Sequence, residues 1–179
     1  RLIHDSPSER FKVLGLTFTN KAAGEMRERV NQLVADASVR TLLTTFHSFC
    51  ADLLRQHGHH LGLRPDFTIL GQAADRQAVL DEAIADQGAT HEYAGERLLP
   101  TIARLLDLNV TAEQAEKILS QNYISNAKQL AGIYKRYREK LVEGNRLDFG
   151  ALISETILLL ESKPAIRKQI QRIYPYICV

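Results

Sequence analysis

Apolar positions along this chain follow two rhythms. Val13 to Thr17 is a short continuous apolar run, which reads as a buried strand. Ala22, Ala23, Met26, Val30 and Leu33-Val34 then keep helical spacing. Asn20 is the expected N-cap, because its short polar side chain can accept a bond from an orphan N–H. Val39 to Thr45 is a second apolar, β-branched strand. Phe46, Phe49, Cys50, Leu53 and Leu54 follow at i, i+3, i+4, i+7 and i+8, an amphipathic helix ended by Gly58 and Gly62. Phe67 to Leu70 is a short extended piece.

From Gln72 to about Gly144 the pattern is helical throughout, with helices expected near 72–86, 95–107, 112–120 and 126–142. Thr111-Ala112-Glu113-Gln114 has capping-box spacing. Leu130, Ile133, Tyr134, Tyr137 and Leu141 form one stripe, and Gly144-Asn145 closes that helix. Asp148 starts a helix over 148–161, Pro164 opens a short one through Gln171, and Tyr174 to Val179 is a last apolar strand. Residues 1–11 read as a polar tail or loop.

The fold class expected is α/β with a large helical insertion: a partial parallel sheet, an all-α subdomain, then a return to the sheet, mostly helical overall. The boundaries expected are 1–70, 71–145 and 146–179. With 45% hydrophobic and 25% charged residues, the composition is that of a globular domain. No apolar run approaches the ~20 residues that span a bilayer, and Leu158-Leu159-Leu160 is a helix face. A net charge of +2 requires any polyanion contact to come from a local patch. Cys50 and Cys178 read as two buried free thiols of a reducing compartment. No signal peptide is visible, although the chain does not begin with Met. Both ends read as cut from something longer.

Chemistry concentrates where strands turn into helices. Leu16-Thr17-Phe18-Thr19-Asn20-Lys21 and Thr44-Thr45-Phe46-His47-Ser48 each place small polar groups at the C-terminal edge of a strand. Ligand phosphates are commonly held there in open α/β sheets. Two such junctions about 25 residues apart imply one shared rim of a parallel sheet. Hydroxyls, a helix N-terminus, Lys21 and the aromatic Phe18 can together hold a backbone phosphate and stack a base. The bland alternative is a capped strand–helix turn, and for His47 a locally bonded residue.

The His57, His59, His60 cluster has no Cys or carboxylate at ligand spacing, and cations at a helix C-terminus are the ordinary reading. Lys135, Arg136, Arg138, Lys140 and Arg146, interleaved with Tyr134 and Tyr137, are either a solvated helix face or a phosphate patch. Two absences bear on function. No Gly is followed by Lys, so the phosphate-cradling G-x-x-x-x-G-K-[ST] loop is missing. The only Asp-Glu pair, Asp81-Glu82, lies inside an expected helix rather than at a strand end. No Ser/His/Asp or Cys/His set can be argued, so no catalytic residue is assigned.

Leu16 to Met26 resembles motif Ia of the UvrD/Rep-like superfamily 1 DNA helicases. Thr44 to Cys50 is similar to that family's T-F-H-S motif. Leu147-Asp148-Phe149, after a long helix, resembles its L-D-F marker, and Tyr176 to Val179 the strand leading into its D-E-x-Q box. The order and spacing match along nearly the whole chain. The resemblance implies a RecA-like P-loop NTPase domain, 1A, carrying the helical subdomain 1B. The phosphate loop is then expected upstream of Arg1 and the D-E pair just after Val179.

By position, the resemblance assigns single-stranded DNA contacts to Phe18, Thr19, Asn20, Lys21, Thr45, Phe46, His47 and Phe149. Gly150-Ala151 departs from the family's acidic pair. The implied function is part of an ATP-dependent DNA helicase of bacterial DNA repair. Its parent would use ATP and Mg²⁺ on single strands and duplex junctions, beside repair or replication proteins, in a nucleoid-associated, cytoplasmic setting. The chain alone is expected to bind no cofactor or metal and to lack ATPase activity. Two alternatives stay open: the motor of a helicase–nuclease, and a helical protein-interaction module without motor function.

Overall fold

The computed structural model describes residues 11–34, 37–89, 95–122 and 124–179. They divide into two compact units, residues 1–52 with 157–179, and residues 53–156. The expected insertion over 71–145 lies inside the second unit, which also takes in 53–70 and 146–156.

The first unit is built on a parallel sheet. Strands β1 (Val13–Thr17), β2 (Thr41–Thr45) and β5 (Tyr176–Cys178) lie in the order β2-β1-β5. β1 and β2 run in register from Val13 opposite Thr41 to Thr17 opposite Thr45, while Val13 to Gly15 face Tyr176 to Cys178. Parallel neighbours need a crossover, here supplied by helix α1 (Asn20–Leu33) and a helical turn, α2 (Ala37–Arg40). Arg27 fastens α1 to the sheet by donating to the Leu43 carbonyl at 2.9 Å. Leu14, Leu16, Ala23 and Leu43 are buried. Helix α3 (Phe46–His57) leaves β2, and its Phe49 ring packs edge-on against Tyr174.

Several local expectations change here. The second strand starts at Thr41, because Ala37–Arg40 coil into a helical turn. Thr19, not Asn20, is the N-cap of α1: it is the last extended residue, and its hydroxyl accepts from Ala22 N–H at 3.1 Å. Cys178 is exposed, not buried, in β5, an edge strand whose three residues are all exposed; Cys50 is buried. Of the tail expected over 1–11, residues 1–10 lie outside the described residues. Phe11 is buried, with Tyr176 edge-on to its ring and Arg40 over its face at 4.8 Å.

The second unit is helical around a small sheet. After a 3-10 turn (Gly58–Leu61) comes β3 (Thr68–Leu70). Then follow α4 (Ala73–Asp86), α5 (Gly95–Asp107), α6 (Ala112–Gln121) and α7 (Ala127–Glu143). Thr111 and Gln114 form the expected capping box of α6. Strand β4 (Arg146–Asp148) is not among the expected elements: three residues carry no periodicity, and only pairing with β3, Thr68 opposite Arg146 and Leu70 opposite Asp148, defines it. Asn145 makes the turn into it with a left-handed φ of 50°. Its side-chain amide oxygen accepts from Arg64 N–H, and its amide nitrogen donates to Asp66.

The core of this unit is the inner face of α7. Ile133, Tyr134, Tyr137 and Leu141 are fully buried, along with Leu80, Ile102, Leu147 and Leu152. Tyr134 donates its hydroxyl to the Val110 carbonyl at 2.6 Å, which satisfies the one polar atom that its burial would otherwise strand. Helices α8 (Phe149–Ser162) and α9 (Pro164–Ile173) complete the chain, α9 with Pro164 in its first turn.

Candidate nucleic-acid interface

Because β1 and β2 are parallel and level, with Thr17 opposite Thr45, the chain leaves both at one edge of the sheet. The next residue in each case is an aromatic. The Phe18 and Phe46 ring centroids stand 5.4 Å apart with planes inclined at 44°. Phe18 is 82% exposed, whereas Phe46 is half-buried. Leaving a phenylalanine in water forgoes roughly 1.5–3 kcal/mol of burial. Phe18 thus presents a free apolar face, held from behind by Phe46.

Around that pair the polar groups sort into two kinds. Thr19, Asn20 and Lys21 are exposed in the first turn of α1. The Thr19 hydroxyl and carbonyl take the N–H groups of Ala22 and Ala23. The N–H groups of Asn20 and Lys21, the first two of the helix, have no intrahelical acceptor. Thr45 behaves differently. It is 6% exposed, its hydroxyl accepts from Ser48 N–H at 3.1 Å, and it donates to Ser48 Oγ at 2.8 Å. Its side chain is occupied in shaping the turn that carries Phe46 and His47. His47 is half-buried in the same turn. Ser48, to which sequence reasoning gives no role of its own, is the partner that sets the Thr45 rotamer.

Phe149 belongs to the second unit, where it is the first residue of α8 and 45% exposed. Its neighbour Asp148 is buried. One carboxylate oxygen accepts from Ala151 N–H at 2.7 Å, capping α8, and the other accepts from the Tyr137 hydroxyl at 2.6 Å. Burial, with the Asp148 charge beside it, pushes the Tyr137 hydroxyl far above the ordinary tyrosine range, so it stays a donor. Gly150 stands where the family resemblance leads one to expect an acid. A Cβ there would lie 2.9 Å from Leu106 Cβ, so the close approach of α5 and α8 leaves space only for glycine.

The basic stretch 135–146 is largely neutralised. Arg136 donates to Asp86 at 2.7 Å and to Glu143 at 2.8 Å, with Glu139 at 3.2 Å. Lys140 lies 3.1 Å from Asp86 and 3.8 Å from Glu82, Arg146 3.6 Å from Glu82, and Arg138 pairs with buried Glu155. Only Lys135 is well exposed; Arg136, Arg138, Lys140 and Arg146 are 17–29% exposed and paired, so the stretch is a part-buried ion-pair network rather than a solvated face or an open phosphate patch. His59 and His60 stack on each other at 4.1 Å. Among the described residues no three of His, Cys, Asp and Glu gather as a metal site, and no helix is long and apolar enough to cross a membrane.

Comparison with known proteins now bears on these junctions. A sequence profile of the UvrD/REP helicase N-terminal domain matches residues 1–179. The chain is 30% identical over 179 residues to an ATP-dependent DNA helicase PcrA of Staphylococcus aureus, covering 99% of this chain and 24% of that protein. To the ATP-dependent DNA helicase PcrA of Staphylococcus epidermidis it is 29% identical over 178 residues, with the same coverage. The chain thus spans about a quarter of the length of the curated relatives it matches. A mostly helical chain with a small parallel sheet and an aromatic rim, matched from its first residue to its last, belongs to the UvrD/REP helicase N-terminal domain family.

Proposed function

We propose that this chain supplies part of the single-strand grip of an ATP-dependent DNA helicase. The observation that carries the reading is the exposed Phe18 ring backed by Phe46, at a sheet edge where Lys21 and two uncommitted helix N–H groups stand beside it. A translocating protein needs a hold on DNA that ignores base identity and can be released in each cycle. Stacking on an aromatic, worth ~1–3 kcal/mol per base, combined with phosphate contacts meets both needs. In this reading Phe18, Asn20 and Lys21 touch the strand. Thr19 and Thr45 hold the two turns in shape, Phe46 and His47 continue the surface, and Phe149 is assigned to the strand by the family resemblance alone.

The same reading places residues 1–70 and 146–179 in a RecA-like domain 1A and residues 71–145 in a helical subdomain 1B. ATP and Mg²⁺ serve the parent protein, and the residues here do not fit them. No glycine is followed by Lys, and the sole Asp-Glu pair sits mid-helix in α4, where Glu82 is engaged by Lys140 and Arg146. The chain by itself is therefore proposed to lack ATP turnover.

The test is fluorescence anisotropy of the full 179-residue chain with a labelled thymidine oligonucleotide. The expected complex is weak, Kd ~10⁻⁴–10⁻⁶ M, and weakens steeply with salt. Phe18→Ala should lower affinity by about 5- to 100-fold, and Lys21→Ala should reduce the salt slope by about 1. If both variants bind as the parent chain does, the assigned surface is wrong.

A further inference from the structure

Helix α9 carries charge that nothing in the single-strand reading uses. From Lys163 to Val179 the sequence holds four basic residues and no acidic one. Ile166, Ile170 and Ile173 form the inward stripe of α9, with Ile166 buried. Arg167, Lys168 and Arg172 lie off that stripe and are exposed. Among the described residues none of the three side chains has an ion-pair or hydrogen-bond partner. Arg172 alone would be an ordinary cation at a helix C-terminus. Arg167 and Lys168, however, stand in the N-terminal half, where the macrodipole gives a cation no advantage. Lys168 and Arg172, four residues apart, are neighbours on one face of the helix, and Arg167 lies about 100° round from Lys168 on its flank. Together they make one basic surface.

The tertiary structure enlarges it. Lys12 N–H donates to the Ile173 carbonyl at 2.8 Å, which brings a fourth exposed cation beside the end of α9 from the far end of the sequence. Lys12 precedes β1 and Phe18 follows it, so patch and aromatic rim lie at opposite ends of the same strand, about 20 Å apart.

We propose that this face of α9, with Lys12, is a second DNA contact and that it takes the phosphate backbone of duplex DNA. Charge complementarity calls for a polyanion. The state of the nearby aromatics selects the duplex. Tyr174 packs edge-on against Phe49, Tyr176 packs edge-on against Phe11, and Arg40 covers the Phe11 face. Tyr176 is 41% exposed against 82% for Phe18, and it is tied to Phe11, so no ring there is as free as that of Phe18. A surface of cations without a stacking face suits a nucleic acid whose bases are already stacked inside and which shows only phosphates. The proposal rests on the DNA-helicase reading for the kind of partner, but on different residues.

The experiment compares a short blunt duplex with a thymidine oligonucleotide of equal length, both labelled, on the full chain. Arg167→Gln/Lys168→Gln/Arg172→Gln should lose about tenfold or more in duplex affinity, and its log–log salt slope should fall by ~2–3. Its affinity for the oligonucleotide should stay within about twofold, whereas Phe18→Ala should show the reverse pattern. The single variant Arg172→Gln, a change at an exposed position, should lower the duplex slope by about 1. Unchanged duplex binding in the triple variant overturns the proposal, as does equal loss on both probes. Displacement of the duplex by polyglutamate at equal charge also overturns it, by assigning the face to an acidic protein segment. If the oligonucleotide is not bound at all while duplex binding still depends on α9, the single-strand reading falls and this surface stands.

Discussion

The two compact units differ in their balance of charge and in where their cations are paired. Residues 1–52 and 157–179 hold eleven basic and seven acidic residues, whereas residues 53–156 hold twelve basic and fourteen acidic. In the second unit Lys135, Arg136, Arg138 and Lys140 of α7 are matched by carboxylates on α4, α7 and α8, while Lys128 of the same helix is exposed and has no such partner among the described residues. In the first, Lys21, Arg167, Lys168 and Arg172 are exposed and have no side-chain partner among the described residues. Burial divides likewise. Of the twelve large side chains fully buried among the described residues, ten lie in the second unit, and only Leu14 and Leu159 lie in the first. A unit with a dense core and internally paired charges is organised for its own stability. A unit with few fully buried large side chains among the described residues and an exposed Phe18 presents free surface at its rim.

The strongest challenge to that contrast is the buried pair Arg138–Glu155, whose side chains are 17% and 6% exposed. Arg138→Met leaves Glu155 charged and unmatched in the core, and should cost the second unit about 3–5 kcal/mol. Hydrogen exchange of amides 127–156 reads the loss directly. Adding Glu155→Leu should recover most of it, and a cost under about 1 kcal/mol would mean that the pair is solvated and the core less dense than described.

A matched pair of caps sharpens the contrast at a smaller scale. Thr111 and Thr19 each accept a backbone N–H at the start of a helix, one in each unit. Replacing either by Ala should cost about 0.5–2 kcal/mol in denaturant titration. Only Thr19→Ala should also weaken oligonucleotide binding, because that helix start lies on the rim. An equal effect of Thr111→Ala on binding would erase the functional distinction.

The smallest effect concerns acid. Arg136, then Lys140, hold the Asp86 carboxyl below its usual range, and Arg136 does the same for Glu143. Folded values depressed in this way stabilise above the unfolded carboxylate range, about pH 4. That contribution is lost as pH falls through the lower folded values. Both carboxylates reach solvent, Asp86 at 35% and Glu143 at 57% exposure, so the contribution is small and screened by salt. Melting curves of the parent chain and Arg136→Gln should differ slightly at neutral pH and converge as pH falls through the lowered folded values of Asp86 and Glu143. A gap that persists in acid would place the role of Arg136 in packing rather than in charge.

Local rules make most elements legible in the sequence. A helix start is decided by residues three or four apart, so Thr111 and Gln114 can be placed as a capping box and Pro164 as a helix opener. The aromatic rim is legible for the same reason, since each strand–helix junction lies within a few residues of sequence. The cap expected at Asn20 shows the limit even there: Asn and Thr are both good caps, and the choice falls to Thr19 because its backbone is the extended one.

What the chain alone determined was its rhythm of strands and helices, the two junctions that carry Phe18 and Phe46, and the family to which those junctions belong. Tertiary structure decided which charges are spent and which remain. Arg136 and Arg167 look alike in sequence, but Asp86, fifty residues away, claims the first, while the second has no partner among the described residues. It also decided that β4 exists and that Lys12 stands beside Ile173. The reason is physical: periodicity and capping are set by neighbours along the chain, whereas pairing and neutralisation depend on groups that only folding brings within a few ångströms.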